Sequence, residues 1–312
     1  MIETRASKSF AETPSERRHA AGRVPESTRR RRSLLPATGV SPLLWLNLLC
    51  LDAPIVALSW QWLFAKTFGL APAAPNRWAL FLTAWLVYLA DRLGDSLALR
   101  SEMPRSLRQK FCLRHRNLWI FAIGLVAIAD LVVIALWLDA RTLSMGAALG
   151  LVAGAYLVVN HWSSSLWRVL PAKEVLIGLL FAGGVAVSLG LHFSPLAGRF
   201  ALPWGLFACL CSLNCVCIAR WECALDRAQS RSSLATAWPT LAREVFVAAM
   251  VLAGFAIGFA VFNRSALVVC VALSLSALGL AMLDRFGRRM QGDARTACAD
   301  LVLLTPLAVM LT

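Results

Sequence analysis

Residues 117–138 read NLWIFAIGLVAIADLVVIALWL, a stretch whose one ionisable side chain is Asp130. A helix needs about 20 predominantly apolar residues to cross the hydrocarbon of a bilayer, so this stretch predicts a membrane-spanning helix. The pattern recurs along the chain. Spans are predicted at 42–64, 77–99, 117–138, 142–161, 173–193, 199–218, 240–262, 265–283 and 299–312, the last being short and interrupted by Pro306. Of 312 residues, 59% are hydrophobic and 15% charged, and the mean hydropathy is +0.66. A soluble domain is roughly 45–50% apolar and about 25% charged. The composition excludes disordered, collagen-like and disulfide-rich secreted classes and predicts an all-α integral membrane protein of about nine transmembrane helices.

Residues 1–41 are different. They are polar, include Arg17-Arg18 and Arg29-Arg30-Arg31-Arg32, and have no apolar periodicity, so they read as a disordered basic tail preceding a membrane domain over 42–312. The following apolar stretch is too long for a signal-peptide core. The formal net charge is +14. In a soluble chain that surplus would suggest nucleic acid. Alternating the predicted spans from an inside tail instead puts 26 Lys and Arg on one side and 5 on the other. That is the positive-inside asymmetry. It predicts a multi-pass protein of a bacterial inner membrane with a cytoplasmic N-terminus, in contact with membrane lipids and with no nucleic-acid partner. Cys209, Cys211, Cys215 and Cys217 are spaced by two or four residues. Steps of two turn about 200° on a helix, so the four do not converge on one ion.

Ionisable groups at membrane depth are costly and therefore functional candidates. Two clusters stand at predicted inner helix ends: Tyr88-Leu89-Ala90-Asp91-Arg92-Leu93-Gly94-Asp95, and Asn214 with Arg220-Trp221-Glu222-Cys223-Ala224-Leu225-Asp226-Arg227. Each places two carboxylates four residues apart, on one helical face, where like charges repel. A hard divalent cation between them relieves the repulsion, and Mg²⁺ typically takes one or two carboxylates plus phosphate oxygens. Two facing pairs would hold a diphosphate through bridging metals. The alternative is solvated charge where helices leave the membrane.

With its helix count, orientation and motif positions, the chain from about residue 42 onward resembles the UbiA superfamily of intramembrane prenyltransferases. These are nine-helix bundles with aspartate-rich motifs after helices 2 and 6. The resemblance implies Mg²⁺-dependent transfer of a prenyl group from a prenyl diphosphate to a lipophilic acceptor. It places Asp91 and Asp95 at the last two acids of the first motif, with Arg92 in the usual basic position, and Glu222 and Asp226 in the second. All four acids are then metal ligands and catalytic. Val87 and Tyr88 stand where the family has Asn-Asp.

Other polar residues complete the candidate site. Asn214 lies two turns before Glu222, placed either to bond a phosphate or to join helices. Lys173, Arg220, Arg114 and Arg116 share the inner face, where topology alone also accounts for them; Lys173 and Arg220 are the candidates for holding phosphate. His115 reads as a loop residue. Asp52 and Asp130 fall near the middle of spans, and Pro54 predicts a kink beside Asp52. Asp52 is consistent with orienting an acceptor hydroxyl, with taking a proton, or with joining helices. Mid-membrane acids also suit a second class of protein, a transporter, lipid-binding protein or scaffold that keeps the bundle without the chemistry. The sequence shows no pair of broken helices to support transport.

Overall fold

The computed structural model describes residues 42–162, 172–190, 197–290 and 292–309. The chain divides into two units, Met1–Val40 and Ser41–Thr312, and every described residue belongs to the second. The basic tail lies outside the described residues. Every regular element among those described is helical.

In chain order the elements are α1 (Pro42–Leu48), α2 (Asp52–Phe68), α3 (Ala74–Leu97), α4 (Leu107–Arg114), α5 (Arg116–Trp137), α6 (Ala140–Trp162) and α7 (Lys173–Ser188). They continue with α8 (Ala197–Ala228), α9 (Leu234–Ala237), α10 (Pro239–Arg243), α11 (Val245–Phe262), α12 (Leu267–Phe286), α13 (Gly292–Val302) and α14 (Thr305–Val309). Five segments are long and apolar enough to cross a membrane: Arg116–Trp137, Ala140–Asn160, Gly198–Ala228, Val245–Phe262 and Arg264–Arg289. Helices α2 and α7 have 17 and 16 residues and fall short of that length. Helix α3 has 24 residues but carries Arg77, Asp91, Arg92 and Asp95.

Packing inverts the pattern of a soluble bundle. Along α11 the buried positions are Val245, Ala249, Ala253, Ala256 and Ala260, while Phe246, Val251, Phe255, Val261 and Phe262 face outward. Small residues let two backbones approach, and large apolar residues face out because the surrounding solvent is itself apolar. Helices α5 and α6 extend this outer surface, with Phe121 67%, Leu136 68% and Leu151 76% exposed. The core lies between α2, α8 and α12. There the Trp60 and Phe207 rings stack at 4.5 Å, and Leu63, Leu210, Leu273 and Leu280 are fully buried. Helices α7 and α8 approach closely at Gly178, where an added Cβ would stand 2.4 Å from the Ser212 backbone nitrogen.

Two predicted spans are broken. The 42–64 span is α1 and α2 separated at residues 49–51, and Cys50 adopts φ 57°. The predicted kink at Pro54 becomes a full break one turn earlier, because the proline ring clashes with the carbonyl of the residue four before it. Left-handed geometry costs a non-glycine residue about 1–2 kcal/mol. The break offsets this with bonds from Cys50 N to the Asn47 carbonyl (3.2 Å), from Leu51 N to the Leu46 carbonyl (2.9 Å) and from Trp85 Nε1 to the Leu49 carbonyl (3.0 Å). The last span breaks at residues 303–304, just before Pro306, and Trp60 Nε1 donates to the Leu303 carbonyl at 2.9 Å. The broken first and last segments pack against each other.

Candidate functional site

Both acid pairs lie on continuous helix, Asp91 and Asp95 in the last two turns of α3 and Glu222 and Asp226 in those of α8. The four-residue spacing therefore does place each pair on one face. The pairs, on helices about 130 residues apart in sequence, are linked through Arg231, which bonds Asp95 and lies within electrostatic reach of Asp226. Arg231, three residues beyond α8, donates through Nη1 to Asp95 Oδ2 at 2.6 Å and through Nη2 to the Asp95 carbonyl. Arg108 on α4 pairs with Glu222 and lies 3.7 Å from Asp293 Oδ1 on α13. Thr296 Oγ1 also donates to Glu222, at 2.9 Å. Asn160 on α6 donates to Asp91 Oδ1 at 3.3 Å. Asp226 faces the Ser233 hydroxyl, within electrostatic reach of Lys173, Arg231 and Glu222.

Local sequence fixes these partners. Ser106 and Gln109 form a capping box at the start of α4, which sets the turn carrying Arg108. Gln229 Nε2 bonds the Pro104 carbonyl at 2.8 Å and Gln109 Oε1 at 3.0 Å, so the loop after α8 is fastened to α4. Ser233 and Thr236 cap α9, whose first N–H at Leu234 donates to Glu174 Oε1 at 3.0 Å. Ser230, Arg231, Ser232, Thr236 and Ala237 line an opening of about 550 Å³ beside the Arg231–Asp95 bridge.

Arg92 is the exception among the cations. It is 9% exposed, its Nη2 donates to the Tyr88 hydroxyl at 3.1 Å, and its guanidinium lies 5.1 Å from the Tyr88 ring centroid. Among the described residues no carboxylate lies within 4 Å of it. Burying a charge is costly; the guanidinium lies within electrostatic reach of the Asp52 and Glu222 carboxylates without an ion-pair contact to either. Lys173, half-buried at the start of α7, flanks the same region.

A second group lies deeper. Asn47 Nδ2 donates to Asp52 Oδ2 at 2.5 Å and to Asp300 Oδ2 at 3.3 Å, and Asn214 Nδ2 donates to Asp300 Oδ1 at 3.0 Å. Asn214 thus joins helices in this structure. Asp52 is where the first break starts α2, and Asp300 lies one turn before the second break.

Other candidates sit elsewhere. Arg220 turns away from the acid pairs and donates to Asp284 Oδ2 on α12 at 2.8 Å, because successive residues on a helix diverge by about 100°. Trp221 follows it, with Nε1 bonded to Asp284 Oδ1 at 2.9 Å and its ring 4.0 Å from the Arg295 guanidinium. Asp130 accepts from Thr83 Oγ1 at 2.8 Å, tying α5 to α3. Arg114, His115 and Arg116 are exposed.

Sequence reasoning missed Arg108, Arg231, Asp300 and Asn47. The arginines were legible only as topology-setting charge, and Asp300 stood in the least regular predicted span. Mg²⁺ is implied by the resemblance. Its fit rests on the donor set: hard carboxylate oxygens, two per helix, which suit an ion that completes its shell with phosphate and water. No three His, Cys, Asp or Glu side chains among the described residues converge to hold an ion alone. The repulsion expected within each pair is relieved here by Arg231 and Arg108, so that repulsion by itself does not require a metal.

Fold and site together define an all-helical protein with membrane-length apolar helices and a charged cluster at one end of the bundle. No protein-family model matches the chain, and no curated protein and no solved structure matches it.

Proposed function

We propose that the protein is a UbiA-like intramembrane enzyme that transfers a prenyl group from a prenyl diphosphate to a lipophilic acceptor. The single observation carrying this reading is Arg92, a buried guanidinium that no carboxylate contacts directly, within electrostatic reach of Glu222 and beside two acid pairs contributed by α3 and α8. The nine crossings would be α1 with α2, α3, α5, α6, α7, α8, α10 with α11, α12, and α13 with α14. The positive-inside count puts the site end and the N-terminus in the cytoplasm, as in a bacterial inner-membrane protein.

In this reading Arg92 and Lys173 bind the diphosphate. Arg108 and Arg231 exchange part of their carboxylate contact for phosphate oxygens as it enters. Asp91, Asp95, Glu222 and Asp226 would hold Mg²⁺, whose chemistry there is to neutralise charge on the leaving diphosphate. The bond between prenyl carbon and diphosphate oxygen breaks with its electron pair leaving on oxygen. The surrounding helices keep water from the allylic cation until the acceptor attacks. The test is release of inorganic pyrophosphate by purified protein given farnesyl diphosphate, Mg²⁺ and a membrane lipid extract. Release above the Arg92→Gln background supports the reading; none, with folded protein, removes it.

The two broken spans favour a second reading. Paired discontinuous helices form the binding sites of many secondary transporters, and ionisable residues within membrane segments mark ion and proton paths; Asp52 and Asp300 lie beside the two breaks. Proton-coupled uptake by proteoliposomes without pyrophosphate release would favour that reading.

A further inference from the structure

The deeper cluster has a chemistry unlike that of the arginine-lined end. Asn47, Asp52, Asn214 and Asp300 come from α1, α2, α8 and α13, and the first three are 1%, 3% and 6% exposed. No Lys, Arg or His among the described residues lies within 4 Å of either carboxyl group. Both amide nitrogens are spent on those carboxyls. The other half of each amide is not: Asn47 Oδ1 and Asn214 Oδ1 are buried without a hydrogen-bond partner. Each unpaired oxygen sits on the same planar amide as a nitrogen that binds a carboxyl. Unmet buried acceptors are costly to leave unmade.

The unmet capacity is therefore entirely of the accepting kind: two amide oxygens beside two carboxyl groups. A ligand that satisfies them must bring donors. An anionic ligand would meet two carboxyls with no cation in contact, and an ether or ketone brings no donor. A neutral molecule with a hydroxyl group fits. The cluster also adjoins the cationic end, since Tyr88, whose hydroxyl accepts from Arg92, lies within electrostatic reach of both Asp52 and Asp300. Two neighbouring subsites of opposite character, one for an anion and one for a donor, are what a two-substrate transfer requires.

We propose that Asn47, Asp52, Asn214 and Asp300 form an acceptor subsite that binds the hydroxyl of a neutral lipophilic molecule and receives the proton it loses. The assignment rests on the prenyl-transfer reading for its role. In that step the donor's carbon–oxygen bond breaks and its electron pair leaves with the diphosphate. The acceptor oxygen forms the new bond to the prenyl carbon, and its proton passes to a carboxylate oxygen of Asp52 or Asp300.

The experiment uses the purified full-length protein in lipid nanodiscs and three matched probes: 4-hexylphenol, 4-hexylanisole and 4-hexylbenzoate. Inorganic pyrophosphate with Mg²⁺ is measured on the same sample and reports separately on the diphosphate reading. The wild-type protein is expected to bind the phenol at least tenfold tighter than the anisole and the benzoate. Asp300→Asn, confirmed folded by its thermal transition, is expected to cut that preference to under threefold, and Asp52→Asn to do the same. Equal binding of phenol and anisole by the wild type, including no binding of either, overturns the assignment even where pyrophosphate binds. So does preference for the benzoate. Failure of pyrophosphate to bind, with the phenol preference intact, overturns the diphosphate reading instead.

Discussion

Helix α8 carries two charged clusters on opposite sides of its last turns, and they are built to different ends. On one side Arg220 and Trp221 meet Asp284 of α12, and Arg295 lies over the Trp221 ring and 3.6 Å from the Asp284 carboxyl. Both Asp284 oxygens are engaged, and Arg295 is further satisfied by the Leu283 and Asp284 carbonyls at 2.8 and 2.9 Å. Nothing is left over. On the other side Glu222 and Asp226 face α3, α4 and the loop after α8, and Arg92 is buried with Asp52 and Glu222 within electrostatic reach but no carboxylate in ion-pair contact. A fully satisfied charge cluster rigidifies the helices it joins, whereas the second cluster includes a buried guanidinium that no carboxylate contacts directly. Adjacent residues on one helix therefore belong to different machinery, and residue 220 differs from residue 222 in role because it differs in direction.

The most severe way to break the comparison is Asp284→Ala. It takes the carboxylate away from two guanidinium groups and an indole N–H in a largely buried place, where removing one partner costs about 3–5 kcal/mol. The thermal unfolding transition in detergent should fall steeply, and affinity for prenyl diphosphate per folded molecule should be unchanged. Arg92→Gln should act in the opposite sense. It removes a buried charge that Asp52 and Glu222 offset only at longer range, so the transition should change little, while equilibrium binding of radiolabelled farnesyl diphosphate falls at least tenfold, about 1.4 kcal/mol. A fall in stability with no change in binding would make Arg92 part of the brace. Asp226→Asn keeps the size of the side chain and loses its charge. The gain in diphosphate affinity on replacing EDTA with Mg²⁺ should shrink about fivefold, near 1 kcal/mol. Wild-type binding that is equal in EDTA would show that the arginines suffice. The smallest effect is expected at Asp130→Asn, where the Thr83 bond has an amide to replace the acid. Interhelical polar contacts in membranes average about 0.6 kcal/mol, so the unfolding transition should move by less than that and diphosphate binding by nothing measurable.

Much of the architecture was legible because it is local. The stretch 117–138 announces α5 by length and apolarity alone, and the acid spacing at 91/95 and 222/226 places each pair on one helical face. Pro54 and Pro306 marked where the first and last spans are interrupted, although the sequence suggested a bend and the chain makes breaks. What was not legible is long-range. Arg108 meets Glu222 across 114 residues, Arg231 meets Asp95 across 136, and Asn47 meets Asp300 across 253. A basic residue in a loop that the charge count predicts to be cytoplasmic has an adequate reason to be there already, so nothing in the sequence distinguishes the arginine that folds back onto an acid from its neighbours. Arg220 shows the same limit from the other side, since its nearness to Glu222 in sequence suggested a shared role that its direction forbids.

The close approach at Gly178 has a mechanical consequence. Backbone against backbone leaves α7 no room to move toward α8 there, so any tilt of α7 would have to pivot near that point. Lys173 and Glu174 lie about one turn and a half away, a lever arm of roughly 7.5 Å to Lys173 at 1.5 Å per residue. A 10° tilt about Gly178 would carry Lys173 through roughly 1.3 Å, by the same rise per residue. The same tilt would pull on the first N–H of α9, which Glu174 holds. One glycine thus gears the entry of α7 to the loop bearing Arg231, and a methyl group at that position would reset both at once.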